Sequence, residues 1–189
     1  SPDYWEVPER VLTLGTAAPV LLGLEAAAAL EGAGLGVGAF AGLSAQRAQT
    51  VRAAMERAFS PDWGRHAGDD DVDAAIALVG PPFTRAPAGA TAARRSAAAR
   101  MRRASGGVAP GRSWRDDGVS WTPETTLLAW SAAALGLTRE AAGLLDWVDH
   151  HRTAVGALPE KVRADGTPAG PAPLAWTCAL VLLAARETV

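Results

Sequence analysis

A chain of 189 residues is long enough for one domain with a sizeable buried core. Apolar residues make up 49% and charged residues 20%, which excludes a disordered polymer. The formal net charge of −2 excludes a general polyanion binder, which needs surplus Lys and Arg to face phosphates. The single cysteine, Cys178, has no internal partner for a disulfide, which fits a reducing compartment and gives a cytoplasmic expectation. The segment from Ser1 to Glu9 is charged and aromatic where a secretion signal needs an apolar run, so no such signal is expected. From Gly166 to Ala185 the chain is free of charge, but Pro168, Pro171 and Pro173 break it. What remains is shorter than the ~20 apolar residues of a membrane span, and no membrane partner is expected.

Taken in order, the periodic segments are helical. Thr16 to Leu30 is rich in Ala and Leu without β-branched alternation, and Val37 to Phe59 carries Arg47, Arg52, Glu56 and Arg57 along one side. A short helix from Asp73 to Val79 is stopped by Gly80-Pro81-Pro82. Ala88 to Ala104 is an Arg-studded helix, read as a solvated outer one. Thr122-Pro123-Glu124 gives an N-cap, a proline at the first helical position and an acid in the first turn, for a helix to about Leu135. Thr138 opens the next helix, to about His151, and Pro173 to Arg186 forms the last. The expected class is all-α, with about seven helices and no convincing strand. Leu127 to Leu135 and Leu174 to Ala185 are apolar on more than one face, so they need cover on both sides. Seven helices can hardly supply it, and the architecture calls for more chain than these residues.

Three loops interrupt the pattern: Ser1 to Pro8, Gly106 to Trp121, and Gly156 to Pro173. They concentrate function-type side chains, as loops on a rigid scaffold do. In the first, Asp3-Tyr4-Trp5-Glu6 sets a carboxylic acid beside an indole. An apolar neighbour disfavours the ionised form, which is what a proton donor to a glycosidic oxygen requires. An exposed glutamate at a helix entry would look the same. In the third, Glu160 follows Pro159 and precedes a Gly/Pro-rich stretch, so it sits in an extended turn suited to a fixed base. A solvated loop glutamate is the plain alternative.

These elements occur in the order Asp3-Tyr4-Trp5-Glu6, then Gly111-Arg112 to Trp121-Thr122-Pro123, then Leu158-Pro159-Glu160 with Leu174-Ala175-Trp176 downstream. That order resembles the pattern of glycoside hydrolase family 15, the glucoamylases and related trehalases, over the whole chain. The resemblance implies the C-terminal half of an (α/α)6 toroid, with a partner N-terminal half-barrel in the same or another chain. By the motif match Glu6 is the general acid, Glu160 the base that activates water, and Arg112 the arginine that binds the non-reducing-end sugar. Trp5, Trp114 and Trp121 are candidate walls for a sugar ring, or core packing. Asp3 either orients its loop or contacts a sugar hydroxyl. The implied activity is inverting hydrolysis of an α-glucoside or oligosaccharide, with no cofactor and no metal. Val7 stands where fungal members carry a second acid, which leaves α-1,4, α-1,6 and α,α-1,1 linkages open.

Other readings carry less. Asp69-Asp70-Asp71-Val72-Asp73 matches an Asp-Asp-x-x-Asp magnesium pattern, but it lies before a helix, where acids suit the dipole and the cap. Arg94, Arg95, Arg100, Arg102 and Arg103 lack interleaved aromatics, so no nucleic-acid partner is expected. Neighbours such as His150 and His151 do not share a helix face. A non-catalytic half-barrel, serving as an interaction or scaffold module, is the alternative from a different class.

Overall fold

The computed structural model describes residues 3–36, 38 and 41–187. It is all-α, as expected. Its helices are α1 (Leu14–Gly32), α2 (Ala41–Phe59), α3 (Ala90–Met101), α4 (Thr122–Ala134), α5 (Thr138–His150) and α6 (Ala175–Glu187), with a 3-10 turn at Ala74–Leu78. Those six α-helices and that turn are the helical elements that lie wholly among the described residues. The start expected for the second helix, 37–40, falls partly outside them.

Local chemistry sets the boundaries. The Thr13 hydroxyl accepts the Thr16 N–H at 3.1 Å and caps α1, whose first residue, Leu14, stands two residues before the start that its Ala/Leu run suggested. Asp73 caps the 3-10 turn by accepting the Ala75 N–H at 2.8 Å. Its neighbours diverge: Asp70 faces Arg100 and Asp71 faces Arg112. Among the described residues no group of three His, Cys, Asp or Glu side chains could hold a metal ion. Gly136, at φ +70°, ends α4, with its N–H on the Ala133 carbonyl and that of Leu137 on Ala132. This tight reversal lays α5 against α4.

α4 is the central element, packed by α5, α6 and the 3-10 turn, while α1 lies along α2. Leu14, Leu21, Met55, Phe59, Trp63, Met101, Leu128 and Leu144 form the common core. The all-round apolar character of α4 matches burial on nearly every face. α6 differs, because Leu182 is 72% exposed and Trp176 47%. α1 likewise exposes Val20 and Leu30. It is long and apolar enough to cross a membrane by length and composition, yet it packs in the core and ties Glu25 to Arg52 of α2.

Three expectations need correction. First, the loops hold strands: β1 (Ser120–Trp121), β2 (Lys161–Val162) and β3 (Pro168–Ala169) form an antiparallel sheet in the order β1-β2-β3, with Trp121 opposite Lys161. Second, α3 is not merely a solvated outer helix. Arg94 is buried and reaches the Ser131 hydroxyl, the Leu128 carbonyl and Glu140, so it braces α3 to α4 and α5. Third, Thr122 is the first residue of α4 and not its cap; its hydroxyl is engaged with the loop before Glu160 instead.

Candidate active site

The first loop is tied down by one buried cation. Arg65 meets Asp3, Glu9 and Asp73 in ion pairs, at 2.9 Å to Asp3 and 2.8 Å to Asp73. Its guanidinium also lies 3.7 Å from the Trp5 ring centroid. Burial works against the Asp3 anion, but hydrogen bonds from Arg65 and the Trp5 N–H outweigh it and hold this carboxyl below its ordinary range. Asp3 therefore orients the loop; its side chain is turned to Arg65 and does not line the cavity described below.

Within this anchored loop Glu6 adopts φ +56°, a left-handed conformation that costs a non-glycine residue roughly 1–2 kcal/mol. The Glu6 N–H donates to the Asp3 carbonyl at 2.9 Å, and the Trp5 N–H to Asp3 Oδ1 at 3.0 Å. Strain held in place by surrounding bonds is a mark of functional positions. Gly111 matters here because a Cβ on it would stand 2.3 Å from Trp5 Cζ2. Trp5 packs edge-on to Trp114 with centroids 4.9 Å apart, and Trp114 to Trp121 at 5.8 Å.

The third loop brings Glu160 to the same place. Its N–H donates to the Pro171 carbonyl at 3.0 Å and its carbonyl accepts the Thr122 N–H at 3.0 Å, so the backbone is fixed on both sides. The Thr122 hydroxyl links the Pro159 carbonyl to the Thr177 hydroxyl of α6. Lys161 Nζ lies 2.9 Å from Glu160 Oε2 and 4.2 Å from the Trp121 ring centroid. Gly170, at φ +76°, is the residue that admits this carboxylate, since a Cβ there would fall 2.6 Å from Glu160 Oε2.

Glu6, Glu160, Trp5, Trp114 and Trp121 all line one open cavity of about 790 Å³. Arg112 is not among its lining residues; its half-exposed guanidinium lies 3.6 Å from Asp71. Arg115, three residues on, is the arginine that lines the cavity. Trp176, Tyr4 and Glu124 join it. Tyr4 is fixed by its hydroxyl, which donates to the Pro110 carbonyl at 3.1 Å.

Glu124 is a site residue that the sequence presented only as an acid in a helix's first turn. It is 3% exposed, and burial pushes its carboxyl up to about 7, with the charges of Glu160 and Asp73 adding to the rise. Arg65, remote in sequence from every motif, also gave no signal. Arg115 lay inside the recognised segment but three positions from the expected arginine.

No protein-family model and no curated protein matches the sequence. Among solved structures, the chain is similar to a wild-type glycosidase at 25% identity with a TM-score of 0.84, over 98% of this chain and 54% of that one. It is also similar to a glycosidase variant in complex with glucose, at 24% identity and a TM-score of 0.83, with the same shares covered. The chain thus spans about half the length of the solved structures it matches. It has the fold of about half of the glycosidases it matches, with a tryptophan-lined cavity that Glu6, Glu124 and Glu160 all line.

Proposed function

We propose that this chain supplies the acid and the base of an inverting, exo-acting α-glucoside hydrolase of the family 15 kind. The observation that carries the reading is that Glu6 and Glu160, from loops at opposite ends of the sequence, line one tryptophan-walled cavity. Further support comes from two similar glycosidase variants, each with a glutamate replaced by alanine. Those two glutamates stand about as far apart in sequence as Glu6 and Glu160.

In this mechanism the Glu6 carboxyl gives its proton to the glycosidic oxygen as the bond from that oxygen to the anomeric carbon breaks. A water attacks the anomeric carbon from the opposite face, and the Glu160 carboxylate takes its proton. An inverting pair stands roughly 6.5–9.5 Å apart so that the water fits between sugar and base. Trp5, Trp114 and Trp121 give the sugar apolar walls, and Arg115 offers hydroxyl-directed donors. The product is β-glucose from the non-reducing end of an α-glucan, an isomalto-oligosaccharide or trehalose.

The exposed apolar residues of α1 and α6 suit contact with an N-terminal half-barrel, in the same or a partner chain, that closes the toroid. The same surfaces suit the second reading, a non-catalytic half-barrel that serves assembly alone. Kinetics on the assembled protein separate the two. Glu6→Gln is expected to lower kcat by at least about a hundredfold with little change in KM. A modest loss confined to KM would remove Glu6 from the proton-donor role.

A further inference from the structure

Glu124 stands at the N-terminal end of α4, between the 790 Å³ cavity and an adjoining apolar cavity of about 310 Å³, and lines both. Its Oε2 is buried and has no hydrogen-bond partner among the described residues. A buried polar atom left unsatisfied is costly, so its partner is to be sought in what the cavity holds. The titratable and charged groups that face it are Glu160 and Lys161 from the third loop, Asp73 before the 3-10 turn, and Tyr4 from the first loop. Of these only Lys161 is cationic, and its ammonium is already engaged with Glu160.

Two of those neighbours bear on what form Glu124 takes. A second carboxylate at Glu160 and a third at Asp73 both oppose an anion at this position. Burial opposes it further, and the group holds a proton to about pH 7. A neutral carboxyl is a donor as well as an acceptor, whereas an ionised one only accepts. Placed beside a catalytic base, a neutral donor can hold a sugar hydroxyl without adding charge to the site.

We propose that Glu124 is a substrate-binding residue that, as a neutral carboxyl, donates a hydrogen bond to a hydroxyl of the sugar ring seated between Glu6 and Glu160. This rests on the glycosidase reading above. It gives the site a specificity determinant distinct from the acid–base pair, because a site built to bond a hydroxyl rejects an analogue that lacks it.

The test uses the assembled protein with maltose, isomaltose and trehalose, comparing wild type, Glu124→Gln and Glu124→Leu. The Gln amide keeps a neutral donor, so its KM on the cleaved substrate is expected within about threefold of wild type at pH 6. Leu removes the donor, and KM is expected to rise about tenfold or more with a smaller effect on kcat. Wild-type KM is further expected to climb between pH 6 and 8 as Glu124 ionises, whereas that of Glu124→Gln stays flat across this range. The last comparison needs only the isosteric variant, so it stands even if Glu124→Leu does not fold. A Leu variant with wild-type KM, or a Gln variant that keeps the wild-type pH profile of KM, would overturn the proposal. A loss of several orders in kcat at unchanged KM in the Gln variant would overturn it too, by making Glu124 a proton donor. If wild type cleaves none of the three sugars, the glycosidase reading itself falls, an outcome separate from those just named.

Discussion

Replacing Arg65 by Met would leave Asp3, Glu9 and Asp73 facing one another with no cation between them. Breaking a buried pair from one side costs roughly 3–5 kcal/mol, and here Asp3 and Asp73 lose their cation together while Glu9 keeps only His66. The expected outcome is a fall in stability of that order, read from urea midpoints, together with lost activity because the Glu6 loop is released. Unchanged stability would show that the cluster holds nothing. Glu124 makes the stability depend on pH. Its folded-state pKa of about 7 lies above the ordinary value of 4.5, so the folded protein retains a proton that the unfolded chain gives up. Stability from this group is therefore present at low pH, falls between about pH 4.5 and 7, and is flat above. The difference between wild type and Glu124→Gln isolates that slope, on the order of 3 kcal/mol across the window; parallel stability–pH curves would contradict it. That Glu6 and Glu160 line one cavity is legible in the sequence as far as the short motif around each brings them forward. Arg65 is not, because what gives it meaning are three acids that come together only in the fold.

Helix positions followed from capping and breaker chemistry, which acts over a few residues and so shows in sequence: Asp73 before its 3-10 turn, Pro123 in the first turn of α4, Gly136 after it. The sheet was hidden because two-residue strands give no alternation to detect. Arg94 was misread because its hydrophilic side chain gave no sign that Ser131, Leu128 and Glu140 would bury and bond it. At this scale α4 carries the prediction. Leu128 is fully buried at the junction of the helices, and Leu128→Ala is expected to cost about 2–5 kcal/mol. Chemical denaturation checks it, and a loss under about 1 kcal/mol would mean α4 is not the central element of the core.

For the whole molecule, α1 and α6 present apolar side chains that no described residue covers, while the matched glycosidases are nearly twice as long. The chain alone is expected to bind dyes for apolar surface and to associate or aggregate in light scattering, as large exposed patches do. A compact monomer that binds little dye would contradict this. The excess of apolar helix faces was readable in the sequence, whereas which helices remain uncovered was not, since that depends on how α4 came to be enclosed. If Glu160 activates water against the face opposite Glu6, the assembled protein must release glucose of inverted configuration. Proton NMR of the first product from an α-glucoside, recorded before mutarotation, should show the β-anomer; initial α-glucose would contradict the account of Glu6 and Glu160 as an inverting pair.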